Sequence, residues 1–260
     1  MLELELNIKC VLAIENSYLH KYVKEIGFPE FKVINGKTQL IKYINSINFD
    51  IFLANGLPYI LPVTKLKAGN SKRFINIHPS YLPDLKGADP IPGALLFERD
   101  SGATCHEMDD GIDTGGIISQ FKIQYDKNLD SSLLYLLCFK AEVKVFEIAL
   151  AEMFEVQYVQ EVMDSLIYYT LDNDDRIINE TDSVEQFLSK VRAFSNQSKG
   201  ALLTVAGKDY LIYSACKLNN ESLKELFATS SNKDIIFKYE NSLLLKWQNS
   251  FIRIITYKLK

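Results

Sequence analysis

The chain has 260 residues, with 29 Lys plus Arg against 33 Asp plus Glu and 47% hydrophobic residues. That is enough apolar material for one large domain, or for a domain with a smaller annex. The net charge of −4 and a pI of about 5.5 argue against a large polyanionic partner, because nucleic-acid binders usually carry the basic excess that phosphate neutralisation requires.

In chain order, IKCVLAI (8–14) reads as a buried strand ending in the loop Glu15-Asn16-Ser17. Residues 17–27 look helical and stop at Gly27, with His20 on the helix surface; 31–34 is a second strand; Leu40, Ile41, Ile44 and Ile47 mark a second helix. FDIFLA (49–54) is a third strand, halted by Asn55-Gly56 and Pro58, and Arg73 to Ile77 is a fourth. A proline-led helix over 90–99, strands at 102–108 and 116–125, and a long helix from Asp130 to Phe154 follow. Near residue 170 the polar run LDNDDRIINETD suggests a linker. Asp182 and Glu185 then have capping-box spacing, and five short strands follow Gly200, with turns at Asn219-Asn220 and Glu240-Asn241.

Strands alternating with helices imply an α/β fold with a mostly parallel, Rossmann-like sheet covered on both faces, followed by a small β-rich, OB-like region. The expected division is 1–170 and 171–260. No GxGxxG follows the first strand, which leaves a dinucleotide site without support. MLELELNIKC lacks the apolar segment of a signal peptide, and no stretch approaches the ~20 apolar residues of a membrane span, so the expected location is cytoplasmic with no membrane partner. Cys10, Cys105, Cys138 and Cys216 have no metal-type spacing and read as reduced structural thiols; no metal site is expected.

In parallel sheets, ligands bind beyond the carboxyl ends of the strands. Asn76 and His78 stand two apart at such an end, so their side chains share a face, and Pro79 stops the strand. Asp113, in the loop Asp109 to Gly116, follows another strand. An amide donor, an imidazole and a carboxylate suit acyl transfer to an amine. Asn76 can donate to an oxyanion, His78 can be a base or a second donor, and Asp113 can orient His78 or relay its proton. His106 reads instead as a packed or hydrogen-bonded histidine in mid-strand.

NIHPSYLPDLKGADP and MDDGIDTGG together resemble the folate-dependent formyltransferase family, over about residues 50–150, and Asn76, His78 and Asp113 match its catalytic trio. The resemblance implies N10-formyltetrahydrofolate as co-substrate. It places the pteridine between Asn55, Gly56, Leu57, Tyr59 and Ile60 on one loop and Asp109, Asp110, Gly111 and Ile112 on the other. Ser80, Tyr81, Lys86 and Gly87 are the candidate substrate-binding residues. The acidic balance and the segment Ala54 to Pro62 favour the sugar-modifying members, with a nucleotide-linked amino-dideoxy sugar as acceptor. Methionyl-tRNA and a non-catalytic folate-binding role are the alternatives, and a homodimer is an allowed assembly.

Overall fold

The computed structural model describes residues 6–260 except 162, 197, 198 and 241. The chain forms two compact units, Met1–Asn76 with Glu107–Ile112 and Ile77–His106 with Asp113–Lys260.

In the first unit, β1 (Val11–Ala13) pairs in parallel with β2 (Phe31–Val33), Val11 opposite Phe31. Between them lies α1 (Tyr18–Glu25), started by Ser17, whose hydroxyl accepts from the His20 backbone N–H at 3.1 Å. His20 is not on the surface as expected. Asn16 adopts a left-handed φ of 62°, and its N–H donates to His20 Nδ1 at 3.0 Å, which folds the imidazole inward to within 6.1 Å of the Phe31 ring. The stripe in α2 (Lys37–Ser46) buries Leu40 and Ile44, one turn apart. β3 (Ile51–Asn55) leads to α3 (Val63–Lys67), a helix the sequence pattern did not disclose, and then to β4 (Arg73–His78). Ile34, Leu40, Ile44, Leu61, Val63, Leu66 and Phe74 form the core. Each such side chain contributes about 1.5–3 kcal/mol when fully buried.

β4 carries the chain into the second unit, where β5 (Ser101–Glu107) and β6 (Ile117–Ile123) follow it in the sheet. β5 and β6 are antiparallel, and their register shifts between Cys105 and His106. Pro90 opens α4 (Pro90–Leu96). Asp130 caps α5 (Ser131–Ala151) by accepting from Leu133 N–H at 2.9 Å. The expected linker holds a 3-10 turn at Asn173–Arg176. The capping box of α6 (Val184–Ala193) is Ser183 with Gln186, not Asp182 with Glu185. Asp182 is drawn away by Lys190, whose Nζ lies 2.6 Å from Oδ2, and by the Asn179 N–H at 2.9 Å.

β7 (Ala201–Val205), β8 (Lys208–Leu218), α7 (Glu221–Leu226), β9 (Ile235–Tyr239), β10 (Ser242–Trp247) and β11 (Ser250–Leu259) complete the chain. The five strands make one antiparallel sheet in the order β7-β8-β11-β10-β9. Asn220 caps α7 instead of making a plain turn. Asn241, of the other expected turn, lies outside the described residues. Trp247 is fully buried, its ring centroid 5.1 Å from that of Phe187 and its Nε1–H donating to Asp182 O at 2.8 Å. The fold is therefore mixed α/β with a parallel pair early in the chain and a separate antiparallel sheet at its end. Among the described residues no helix is long and apolar enough to cross a membrane.

Candidate active site

His78 ends β4 and is buried. Its Nε2 lies 3.1 Å from the Leu85 carbonyl oxygen, to which it donates when protonated. That contact fixes the proton on Nε2 and leaves Nδ1 as the basic atom. Nδ1 faces Asp113 Oδ2 at 3.7 Å. Burial pushes the His78 pKa below its usual value, against the opposing pull of Asp113 and the Leu85 carbonyl, so the imidazole is neutral at pH 7. Asn76, two residues earlier on β4, is half-buried and shares that strand face.

Asp113 has a left-handed φ of 54°, a conformation that is uncommon for a non-glycine residue and is often found at functional sites. Gln160 holds the backbone from Asp113 onward, with Nε2 donating to Asp113 O at 2.9 Å and to Gly115 O at 2.8 Å. The Gly87 N–H donates to Asp113 Oδ2 at 3.0 Å, and His106 Nε2 lies 3.6 Å from Oδ1. Burial alone would raise the carboxyl pKa. The His106 hydrogen bond, the His78 ring and the Gly87 N–H outweigh it and hold the group below the usual carboxylate range.

Gly87 can be nothing larger. Its φ is +108°, and an added Cβ would stand 2.4 Å from the Tyr169 carbonyl oxygen. This closeness arises because residues 167–171 are strapped along the 84–89 loop. Lys86 N–H donates to Ile167 O at 3.1 Å, Tyr169 N–H donates to Lys86 O at 2.8 Å, and the Ile167 and Leu171 N–H groups reach the Asp84 and Asp89 carboxylates.

The remaining expected substrate residues fall in different settings. Ser80 is buried, and its hydroxyl donates to Asp84 O at 3.1 Å. Thr104 fixes the same turn from β5: its hydroxyl donates to Ser80 O at 2.7 Å and accepts from the Leu82 N–H at 3.1 Å and Gln120 Nε2 at 2.9 Å. Lys86 is half-buried. Tyr81 lines a cleft of about 340 Å³ with Asp84, Glu98, Arg99, Asp100 and Lys122. The cations there are engaged, Arg99 with Asp84 at 2.6 Å and Lys122 with Asp100 at 2.8 Å.

The residues assigned to the pteridine all lie in the first unit. Asp110 Oδ1 accepts from the Thr64 N–H at 3.0 Å, so a carboxylate from one loop caps the helix that follows the other. This bond to Thr64 depresses the Asp110 pKa. Asp109 accepts from Gly111 N–H at 3.0 Å, an Asx turn. Both carboxylates thus shape their loop. Leu57 and Tyr59 pack on the core, while Ile60 is 52% exposed. Gly56 has a φ of +64° and nothing within 4 Å of where a Cβ would stand. An exposed apolar side chain beside an open glycine backbone fits a flat heterocycle with edge donors and acceptors. Among the described residues no cluster of His, Cys, Asp or Glu is placed to hold a metal ion.

Sequence reasoning missed Leu85, Gln160 and the 167–171 strap. Only the short spacing from His78 to Leu85 carried any signal for them.

A buried imidazole with a lowered pKa and a buried carboxylate with a lowered pKa thus lie side by side at a strand end, an arrangement able to move a proton. The formyl transferase model matches residues 21–150, and the formyl transferase C-terminal domain model matches residues 170–260. The chain belongs to the formyl transferase family, enzymes that take their formyl group from N10-formyltetrahydrofolate. It is 27% identical over 254 residues to a methionyl-tRNA formyltransferase of Orientia tsutsugamushi (strain Boryong), covering 95% of this chain and 79% of that one. Among solved structures, an N-formyltransferase from Helicobacter canadensis, in complex with folinic acid and dTDP-3-aminofucose, aligns with a TM-score of 0.68 at 19% identity, over 94% of this chain and 87% of that one. HypX from Aquifex aeolicus, in complex with tetrahydrofolic acid, aligns at 0.66 with 17% identity over 96% of this chain, which spans only 43% of HypX. At these identities the structural likeness establishes the fold.

Proposed function

We propose that the protein transfers the formyl group of N10-formyltetrahydrofolate to the amine of a nucleotide-linked amino-dideoxy sugar, for glycan synthesis in the cytoplasm. The observation that carries the chemistry is the His78–Asp113 pair, held by Leu85 on one side and Gly87 on the other. Nδ1 of His78 removes a proton from the attacking amine, and Asp113 stabilises the imidazolium that results. Asn76 donates to the oxyanion, a contribution worth roughly 3–4 kcal/mol in comparable sites. The donor, bound by Asn55 to Ile60 and Asp109 to Ile112, supplies an activated formyl carbon on nitrogen. A functional pair this well formed weighs against a non-catalytic folate binder.

The sugar acceptor is supported by the Helicobacter canadensis neighbour, which was solved with a nucleotide-linked amino sugar, and by the mildly acidic charge. The identity to the Orientia enzyme supports methionyl-tRNA as a second reading. On the first reading, the early sheet is Rossmann-like, the terminal sheet OB-like, and the functional division falls near residue 170; Ser80, Tyr81, Lys86 and Gly87 form the acceptor side. Incubation with N10-formyltetrahydrofolate and a panel of nucleotide-linked amino sugars, beside methionyl-tRNA, tests the choice by mass. A formyl gain on a sugar supports the first reading. Gain on the tRNA alone rejects it.

A further inference from the structure

We infer that Tyr168 binds the acceptor: its ring is a wall beside Gly87 and Asp113, against which the apolar face of the amine-bearing deoxy sugar packs. This inference deepens the reading of His78 and Asp113 as the reaction centre and rests on it.

The strap meets the 84–89 loop through backbone groups of Ile167 and Tyr169, with Tyr168 opposite Lys86 in a parallel bridge. The Tyr168 side chain takes no part in that pairing. Successive side chains of an extended segment point to opposite sides, and the two tyrosines serve different ends. Tyr169 is an anchor. It is 7% exposed, its hydroxyl donates to Asp175 Oδ2 at 2.6 Å, and its ring meets that of Phe97 edge-on with centroids 5.4 Å apart. Tyr168 is 57% exposed, and among the described residues its hydroxyl has no hydrogen-bond partner. A phenol ring left this open keeps apolar area that a ligand can cover and a hydroxyl that a ligand can engage.

The direction of the ring ties it to the site. The ring carbon that bears the hydroxyl lies 3.3 Å from where a Cβ on Gly87 would stand, so the tip of the ring crosses the glycine. The N–H of that same Gly87 donates to Asp113 Oδ2 at 3.0 Å. One residue therefore separates the phenol from the carboxylate. A deoxy sugar suits such a wall. Its deoxygenated carbons present C–H surface to the aromatic face, one of its oxygens can bond the tyrosine hydroxyl, and its amine stays free for the base.

The test begins with binding. The full chain, loaded with folinic acid, is titrated by calorimetry with a panel of nucleotide-linked amino-dideoxy sugars, dTDP-3-aminofucose among them, and with methionyl-tRNA. For the tightest sugar, Tyr168→Leu should raise the Kd about tenfold, whereas Tyr168→Phe, which keeps the ring, should stay within about threefold. Folinic acid should bind all three proteins alike. Equal sugar affinity in wild type and Tyr168→Leu would overturn the proposal, and binding of methionyl-tRNA alone would overturn the sugar as occupant. In turnover, Tyr168→Leu should raise the acceptor KM about tenfold and leave kcat within about threefold. A fall in kcat alone, with the acceptor KM unchanged, would reduce the side chain to a support for the strap and reject the role. Wild-type protein that formylates no acceptor would sink the reaction centre instead, while the affinity comparison still decides Tyr168. Should Tyr168→Leu fail to fold, nuclear Overhauser contacts between labelled Tyr168 ring protons and the bound sugar decide the matter in the wild type, and their absence would reject the wall.

Discussion

The loop after β3 and the loop after β4 follow successive strands, yet they are built in opposite ways. Asn55, Gly56 and Ile60 stand in the open, with glycine backbone exposed and the neighbouring carboxylates tied to backbone N–H groups. His78, Ser80 and Gly87 are buried, and each is held by a hydrogen bond, His78 Nε2 at Leu85 O, Ser80 Oγ to Asp84 O and Gly87 N–H to Asp113 Oδ2. On the proposed function the first loop admits a large planar ligand, and its open edges suit that role. On the proposed function the second loop holds the pair that exchanges a proton, and its hydrogen bonds fix the tautomer of His78.

The contrast can be broken hardest at the carboxylate. Asp113→Asn keeps the shape but loses the charge, and should cut kcat by about 10²–10⁴-fold in a formyl-transfer assay while leaving the folate KM near wild type. Gly87→Ala should lower stability by about 3 kcal/mol or more, read from the urea midpoint, because its Cβ meets the Tyr169 carbonyl where φ is positive. Both depressed pKa values act in the same direction on stability. The folded state binds the His78 and Asp113 protons less readily than the unfolded chain, so their stabilisation is complete above the unfolded values. It falls as pH drops below about 6.5 for His78 and below about 3.8 for Asp113. His78→Asn should flatten the first part of that decline in urea midpoints measured from pH 7 to 5. The smallest effect on stability belongs to the open loop. Ile60→Ser should change the midpoint by under about 0.5 kcal/mol, yet raise the folate KM severalfold. A large loss of stability there would erase the distinction between the loops.

Local patterning revealed most of the elements. The Leu40–Ile44 spacing, the Asp130 cap and the Pro79 stop each reflect a nearby physical cause and were readable as such. α3 and α7 were not, because each has only one or two turns and offers too few positions to show a period. The α6 cap was misjudged by one residue because Asp182 and Ser183 can both cap; a lysine eight residues on took the aspartate. That Asp113 reaches His78 was legible from their setting between proline and glycine turns. That His106 lies beside the same carboxylate was not, since β5 is buried along nearly its whole length and its alternation distinguishes no face. The strap at 167–171 depends on backbone pairing across some eighty residues of sequence, which leaves no trace in residue type.

That strap has a practical consequence. The span matched to the first family model ends at residue 150, before Ile167, Tyr169 and Leu171 clasp the turn containing Gly87. A fragment cut there would contain Asn76, His78 and Asp113 and lack the brace along the 84–89 loop. Shortening this protein to its apparent enzymatic half should yield a correct list of residues and an idle catalyst.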